Sequence, residues 1–168
     1  MKKRKPWLRY VAAGLCSSLP LACHAVGGSM ELAMKATTKD YVVEMGESTV
    51  TAMTGSGTLT FTRGSGKPFD DGASATVRYV GFSKTQPSGL ELEADAVATF
   101  SPDDTLLLLF QRSAEDNGTS GEGNLQLTGG TGRFTGISGH CRYKMEIVSE
   151  DASTTVARCE WLHSFPYR

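Results

Sequence analysis

The sequence predicts an all-β fold: one small antiparallel domain of about eight short strands, arranged as a sandwich or a closed barrel, behind an N-terminal export signal. Three observations carry this. Apolar and polar residues alternate with period two in segment after segment, the spacing of strands with one buried face. Clusters of Gly, Pro, Ser, Asp and Asn separate those segments at short intervals. After residue 25 no helical stripe runs longer than two turns.

Residues 1–25 read as a signal peptide. Lys2, Lys3, Arg4, Lys5 and Arg9 make a basic start, and no acidic residue precedes Glu31. Val11-Ala12-Ala13-Gly14-Leu15 and Leu19-Pro20-Leu21-Ala22 supply the apolar stretch. Cys23-His24-Ala25 places small residues for cleavage after Ala25. The apolar run is shorter than the ~20 residues that span a bilayer. A buried N-terminal helix is the alternative. Leu21-Ala22-Cys23 also resembles part of a lipobox, which would acylate Cys23 and tether the chain, but Pro20 stands where a leucine is expected. The exported form, residues 26–168, is one domain, periplasmic or secreted. Its longest apolar run, Leu106 to Phe110, is of strand length, so no transmembrane segment is expected in it.

The strand elements follow in order. Leu59 and Phe61 share a face against Thr58, Thr60 and Thr62. Val77 and Tyr79 share the next. Leu90, Leu92, Ala94, Ala96, Ala98 and Phe100 alternate with Glu91, Glu93 and Asp95. Thr105 to Phe110 is apolar on both faces, as in a strand covered on both sides. Cys141, Tyr143, Met145 and Ile147 alternate with Arg142, Lys144 and Glu146. Turn residues punctuate the series at Gly64–Pro68, Gln86–Gly89, Ser101–Asp104 and Asp116–Gly118.

Cys141 and Cys159 are the cysteines outside the signal, and an even pair in an oxidising compartment favours a disulfide. The register supports it. Residues 140–148 and 154–163 read as strands, with Ser149-Glu150-Asp151 as a three-residue turn closing Val148 on Ala152. Pairs then share a residue-number sum of 300, which sets Cys141 opposite Cys159.

Removing the signal leaves twelve of seventeen basic residues and all eighteen acidic ones, a formal net charge of −6. That argues against a nucleic-acid partner, which needs a basic surface.

The run Leu127-Thr128-Gly129-Gly130-Thr131-Gly132-Arg133-Phe134-Thr135-Gly136-Ile137-Ser138-Gly139 is distinctive. With Lys67–Gly72 leading into Thr76–Gly81, and Ser101–Thr105 before an apolar strand, it resembles the allene oxide cyclase barrel-like, calycin-like family of exported bacterial proteins. The resemblance covers residues 30–165 and implies an eight-stranded calycin-like β-barrel. It does not imply cyclase activity, because the plant enzyme's catalytic positions find no match here. Many members of that family carry a cysteine where Tyr79 stands, so no second disulfide is expected here.

Candidate chemistry is sparse. The glycine run lacks G-x-G-x-x-G spacing and a following helix, so it reads as a tight strand connection needing positive φ. His140, Arg142, Arg158 and Glu160 form the most polar constellation. The 300 register opposes His140 to Glu160, a pair capable of acid–base work, and Arg142 to Arg158. The plain alternative is a solvated strand face on which Glu146 and Glu160 balance the arginines diagonally. Glu91, Glu93 and Asp95 are a cation candidate of the same kind, more readily an exposed face. His163 reads as incidental, and Asn117-Gly118-Thr119 as a turn rather than a sequon. No residue is assigned a catalytic, cofactor-binding or metal role. The leading functional expectation is a barrel that binds a small apolar or amphipathic ligand. The alternatives are an isomerase or cyclase acting on a hydrophobic substrate, and a protein-interaction or oligomerisation module.

Overall fold

A computed structural model describes residues 25–114 and 120–164. The expected signal peptide, Cys23 and Asn117 lie outside the described residues, apart from Ala25. Eight antiparallel strands close into a barrel in sequence order: β1 (Ala25–Met45), β2 (Ser48–Gly64), β3 (Ser74–Gln86), β4 (Gly89–Thr99), β5 (Thr105–Ala114), β6 (Gly121–Gly130), β7 (Ile137–Ser149) and β8 (Ala152–Ser164). β8 returns to β1 over Ala25–Thr37, so closure removes the sheet edges there. The sandwich alternative is thereby set aside.

Inward positions follow the alternation. Met30, Leu32, Met34 and Ala36 of β1, Ala94, Ala96 and Ala98 of β4, and Cys141 and Tyr143 of β7 are all buried. Ala94, Ala96 and Ala98 of β4 supply small groups opposite the larger Phe110, Leu108 and Leu106 of β5, which evens out the filling.

One end of the barrel is plugged by aromatics. Phe61 stacks on Phe100 at 5.1 Å and meets Phe69 edge-on at 5.1 Å. Phe69 packs on Trp161 at 5.1 Å, and Phe134 on Phe100 at 5.0 Å. Phe69 reaches the plug from the loop between β2 and β3, and Phe134 from a single 3₁₀ turn, Gly132–Phe134. Each buried ring contributes ~1.5–3 kcal/mol by desolvation, and each good ring pair ~0.5–1.5 kcal/mol more. Arg133 lids the plug, its guanidinium 4.9 Å and 4.8 Å from the Phe100 and Phe134 ring centres, with Asp70 at 3.5 Å. The glycine run is a connection with positive φ at Gly129 (133°), Gly132 (56°) and Gly136 (80°).

Three details differ from the sequence reading. The β7–β8 turn has two central residues, Glu150 and Asp151: Ser149 pairs with Ala152, and the extra residue is absorbed as a bulge between Ile147 and Ser149. The bulge keeps the remaining pairs at a sum of 300, and Cys141 does face Cys159. β5 is covered on one side only. Leu106, Leu108 and Phe110 fill the lumen, while Leu107 stays 40% exposed, because no described residue packs over the outside of the wall there. Phe100 lies past the end of β4 and turns into the plug.

The Cys141–Cys159 disulfide joins neighbouring strands from inside the barrel, with both residues buried. It closes a loop of 18 residues, for which chain entropy gives ~3 kcal/mol of stabilisation. The double variant C141A/C159A should lose about that much in urea unfolding, and the oxidised protein should weigh two hydrogens less than the reduced one. Free alkylation of both thiols without reductant would contradict the bond.

Candidate functional site at the open end of the barrel

The end opposite the plug is hollow. A cavity of about 260 Å³ opens between the β1–β2, β3–β4 and β7–β8 turns. Its walls are apolar, from Met34, Met53, Leu92, Ala94, Phe110 and Met145. Its polar groups are Tyr79, Tyr143 and a set of hydroxyls, Thr38, Thr51, Ser83, Thr85, Ser153 and Thr155, with three carboxylates, Asp40, Glu150 and Asp151. Apolar walls with polar groups beside them suit an amphipathic ligand, and the volume lies just below the usual range of about 300–1,000 Å³ for ligand pockets.

The hollow has a local cause. Tyr79 pairs with Gly55, and a Cβ on Gly55 would come within 2.2 Å of the Tyr79 ring. Tyr143 pairs with Gly123, where an added Cβ would meet the ring at 2.5 Å. Each tyrosine thus lies across a glycine on the neighbouring strand instead of filling the lumen. Gly81 lies opposite Ala94, and a Cβ added to it would come within 2.5 Å of the Ala94 methyl.

The two phenols are held in place. Tyr79 Oη shares a short hydrogen bond with Thr38 Oγ1 and donates to the Thr37 carbonyl at 3.3 Å. Tyr143 meets Phe110 edge-on at 5.5 Å. Burial pushes the Tyr79 hydroxyl above the ordinary tyrosine pKa; the Thr38 bond opposes this and the Asp40 charge adds to it. Burial also raises Tyr143, against the pull of the Arg112 guanidinium. Arg112 itself is buried on the inward face of β5 and donates from Nη2 to the Ser120 carbonyl at 2.9 Å. Both phenols are therefore protonated at neutral pH; the Tyr79 proton goes to the Thr37 carbonyl, which leaves its oxygen to accept, and the Asp40 carboxylate is an acceptor at the rim.

The residues singled out in the sequence lie elsewhere. His140 opposes Glu160 and Arg142 opposes Arg158, as the register requires, but all four are exposed on the outer face. They do not reach the lumen. The diagonal balancing is also corrected: Arg158 pairs with Glu31 of β1 at 3.2 Å, and Glu146 pairs with Lys144 at 2.9 Å. Closure brings β1 beside β8, a neighbour that local sequence could not supply. Glu91, Glu93 and Asp95 also face outward, and Glu93 accepts from Gln111 Nε2 at 2.9 Å. His163 bonds the Thr135 carbonyl at 2.8 Å, tying the end of β8 to the β6–β7 connection. Tyr79, Tyr143 and Asp40 were not singled out as site residues. Inward tyrosines at alternation positions were the available signal, but their glycine partners appear only once strands are paired.

No family model matches the chain, and no curated protein matches it either. Among solved structures, the pterocarpan synthase dirigent protein GePTS1 is similar at 14% identity and a TM-score of 0.51, over 85% of this chain and 93% of that one. The pterocarpan synthase dirigent protein PsPTS1 is similar at 15% identity and a TM-score of 0.43, over 86% and 97%. What the first of these shares with this chain is the fold, an eight-stranded barrel.

The tyrosine environment gives a measurable pH dependence. Both phenols ionise at higher pH when folded than when unfolded, so above about pH 10 the unfolded chain releases protons first. Stability should then fall with rising pH from that point, having been fully present below it. The double variant Y79F/Y143F should flatten that fall in denaturant melts taken between about pH 9 and pH 11. An unchanged slope would show that these hydroxyls are not buried as described.

Proposed function

We propose that this chain is an exported barrel that holds a small amphipathic molecule in its open half, the apolar part between Met53, Leu92 and Phe110 and a polar end toward Tyr79, Tyr143 and Asp40. The observation that carries the reading is the half-filled lumen. A barrel built only as a stable module has no need of glycines that draw tyrosines aside from its interior. The basic N-terminus and the Cys141–Cys159 bond support export, with cleavage after Ala25; a chain starting at Val26 keeps nearly all of β1. The likeness to the allene oxide cyclase barrel-like family fits the same architecture.

A second reading, an isomerase or cyclase acting on a hydrophobic substrate, is favoured by one feature: a carboxylate and a phenol on the same lumen wall, near enough that Asp40 raises the Tyr79 pKa. The structurally similar protein is named a pterocarpan synthase, which is compatible with that reading.

Native mass spectrometry of the protein purified from its own cells tests the proposal. A small-molecule adduct should be present, and Thr51→Trp, which fills the mouth, should remove it and weaken binding of the probe 2-naphthol at least about tenfold. A bare protein with no measurable affinity for 2-naphthol would overturn the ligand reading. Recovery of an added apolar substrate as an isomer would decide for the enzyme.

A further inference from the structure

β1 outruns its partner on one side. β8 pairs with it only as far as Thr37, opposite Ala152, and the last cross-connection is the bond from the Thr38 amide to the Asp151 carbonyl at 2.8 Å. On the other side β2 stays paired with β1 as far as Met45, and β3 and β4 stay paired beside them as far as Gln86 and Gly89. The rim of the cavity therefore carries a four-stranded wall with β1 as its outer strand. Among the described residues, no strand pairs with Lys39–Met45 on that side.

The direction of the free groups follows from the ladder. In an antiparallel strand each residue points its N–H and C=O to the same side, and the side alternates. Thr38 points toward β8. Asp40, Val42 and Glu44 then present their backbone donors and acceptors at the free edge. The segment carries no proline and no bulge, and its apolar side chains stand in solvent: Tyr41 is 66% exposed, Val42 60%, Val43 57% and Met45 63%. Such an edge is a template for another extended strand.

Charge selects the occupant. In a twofold pairing with a second copy that uses all three free residues, Val42 would face its own equivalent, and Asp40 would stand directly opposite Glu44 twice. Like charges directly opposed are destabilising. The same two carboxylates favour a strand with basic residues at those positions. Tyr41 and Val43, on the other face, favour apolar residues in between.

We propose that Lys39–Met45 is a docking edge for an extended peptide segment of another protein, taken up as an added antiparallel strand, with basic residues opposite Asp40 and Glu44 and apolar residues between them.

The test uses the mature protein and two fluorescently labelled peptides, TKVVVKE and its acidic counterpart TEVVVEK, read by fluorescence anisotropy. The basic peptide should bind, and the acidic one at least about tenfold more weakly. Val42→Pro deletes a donor that points to the free edge, a position where proline is tolerated. It should abolish binding while the thermal melt stays within a few degrees of the parent. The double charge exchange D40K/E44K should reverse the preference between the two peptides, which keeps the test open should V42P disturb the barrel. No binding of either peptide, or equal binding of both, would overturn the proposal. So would a dimer in sedimentation that V42P removes, since that would assign the edge to a second copy.

Discussion

Closure fixes the width of an eight-stranded barrel, so the sizes of its inward side chains alone decide where it is solid and where it is hollow. The plug and the cavity both follow from that constraint. At one end the inward and loop-borne positions carry Phe61, Phe69, Phe100, Phe134 and Trp161, and the lumen is full. At the other they carry Gly55, Gly81, Gly123 and Ala94, and a cavity remains. The plug anchors the fold with ring contacts and a cation over two of the rings. The open half can then leave apolar surface uncovered without loss of the whole.

Much of the fold was legible because strand alternation is a local property. Period two names the inward residues of β3, β4 and β7, and the cysteine pair fixes one register without reference to anything distant. The bulge near the β7–β8 turn shows how firmly that register is held. The turn is one residue shorter than the sequence suggests, and the chain absorbs the difference locally rather than letting every side chain change face. Leu107 marks the limit of this kind of reading. A run of leucines looks the same whether or not something covers its second face.

The site was not legible, for a reason specific to its construction. Tyr79 and Tyr143 read from sequence as ordinary core aromatics. What draws their rings aside is a glycine on another strand, 24 residues earlier for Tyr79 and 20 earlier for Tyr143. Neither member of such a pair signals the other until the ladder is known. The polar quartet on β7 and β8 shows the converse. His140, Glu160, Arg142 and Arg158 were correctly placed opposite one another, yet their face could not lead to the lumen, because the alternation that brings Cys141 and Cys159 inside puts them outside. Once Cys141 and Cys159 are placed facing inward, the outward direction of their neighbours follows.

Closure and stagger also account for the wall at the rim. β1 has 21 residues and β8 has 13, so a seam that closes fully at the plugged end leaves the last residues of β1 with no described strand on their β8 side at the open one. The opening and the free edge are therefore products of the same mismatch. Asp40 belongs to both: it lines the cavity, and its backbone groups lie on the edge. Its charge already acts on Tyr79. A cation brought against Asp40 from the edge would weaken the lesser of the two influences that raise the Tyr79 pKa, burial being the greater, and a ligand covering Asp40 from the lumen would change what the edge presents. By linkage, whatever free energy one occupant exerts on the other is returned in equal measure. With both proposed occupants present, the two surfaces would be coupled through one carboxylate.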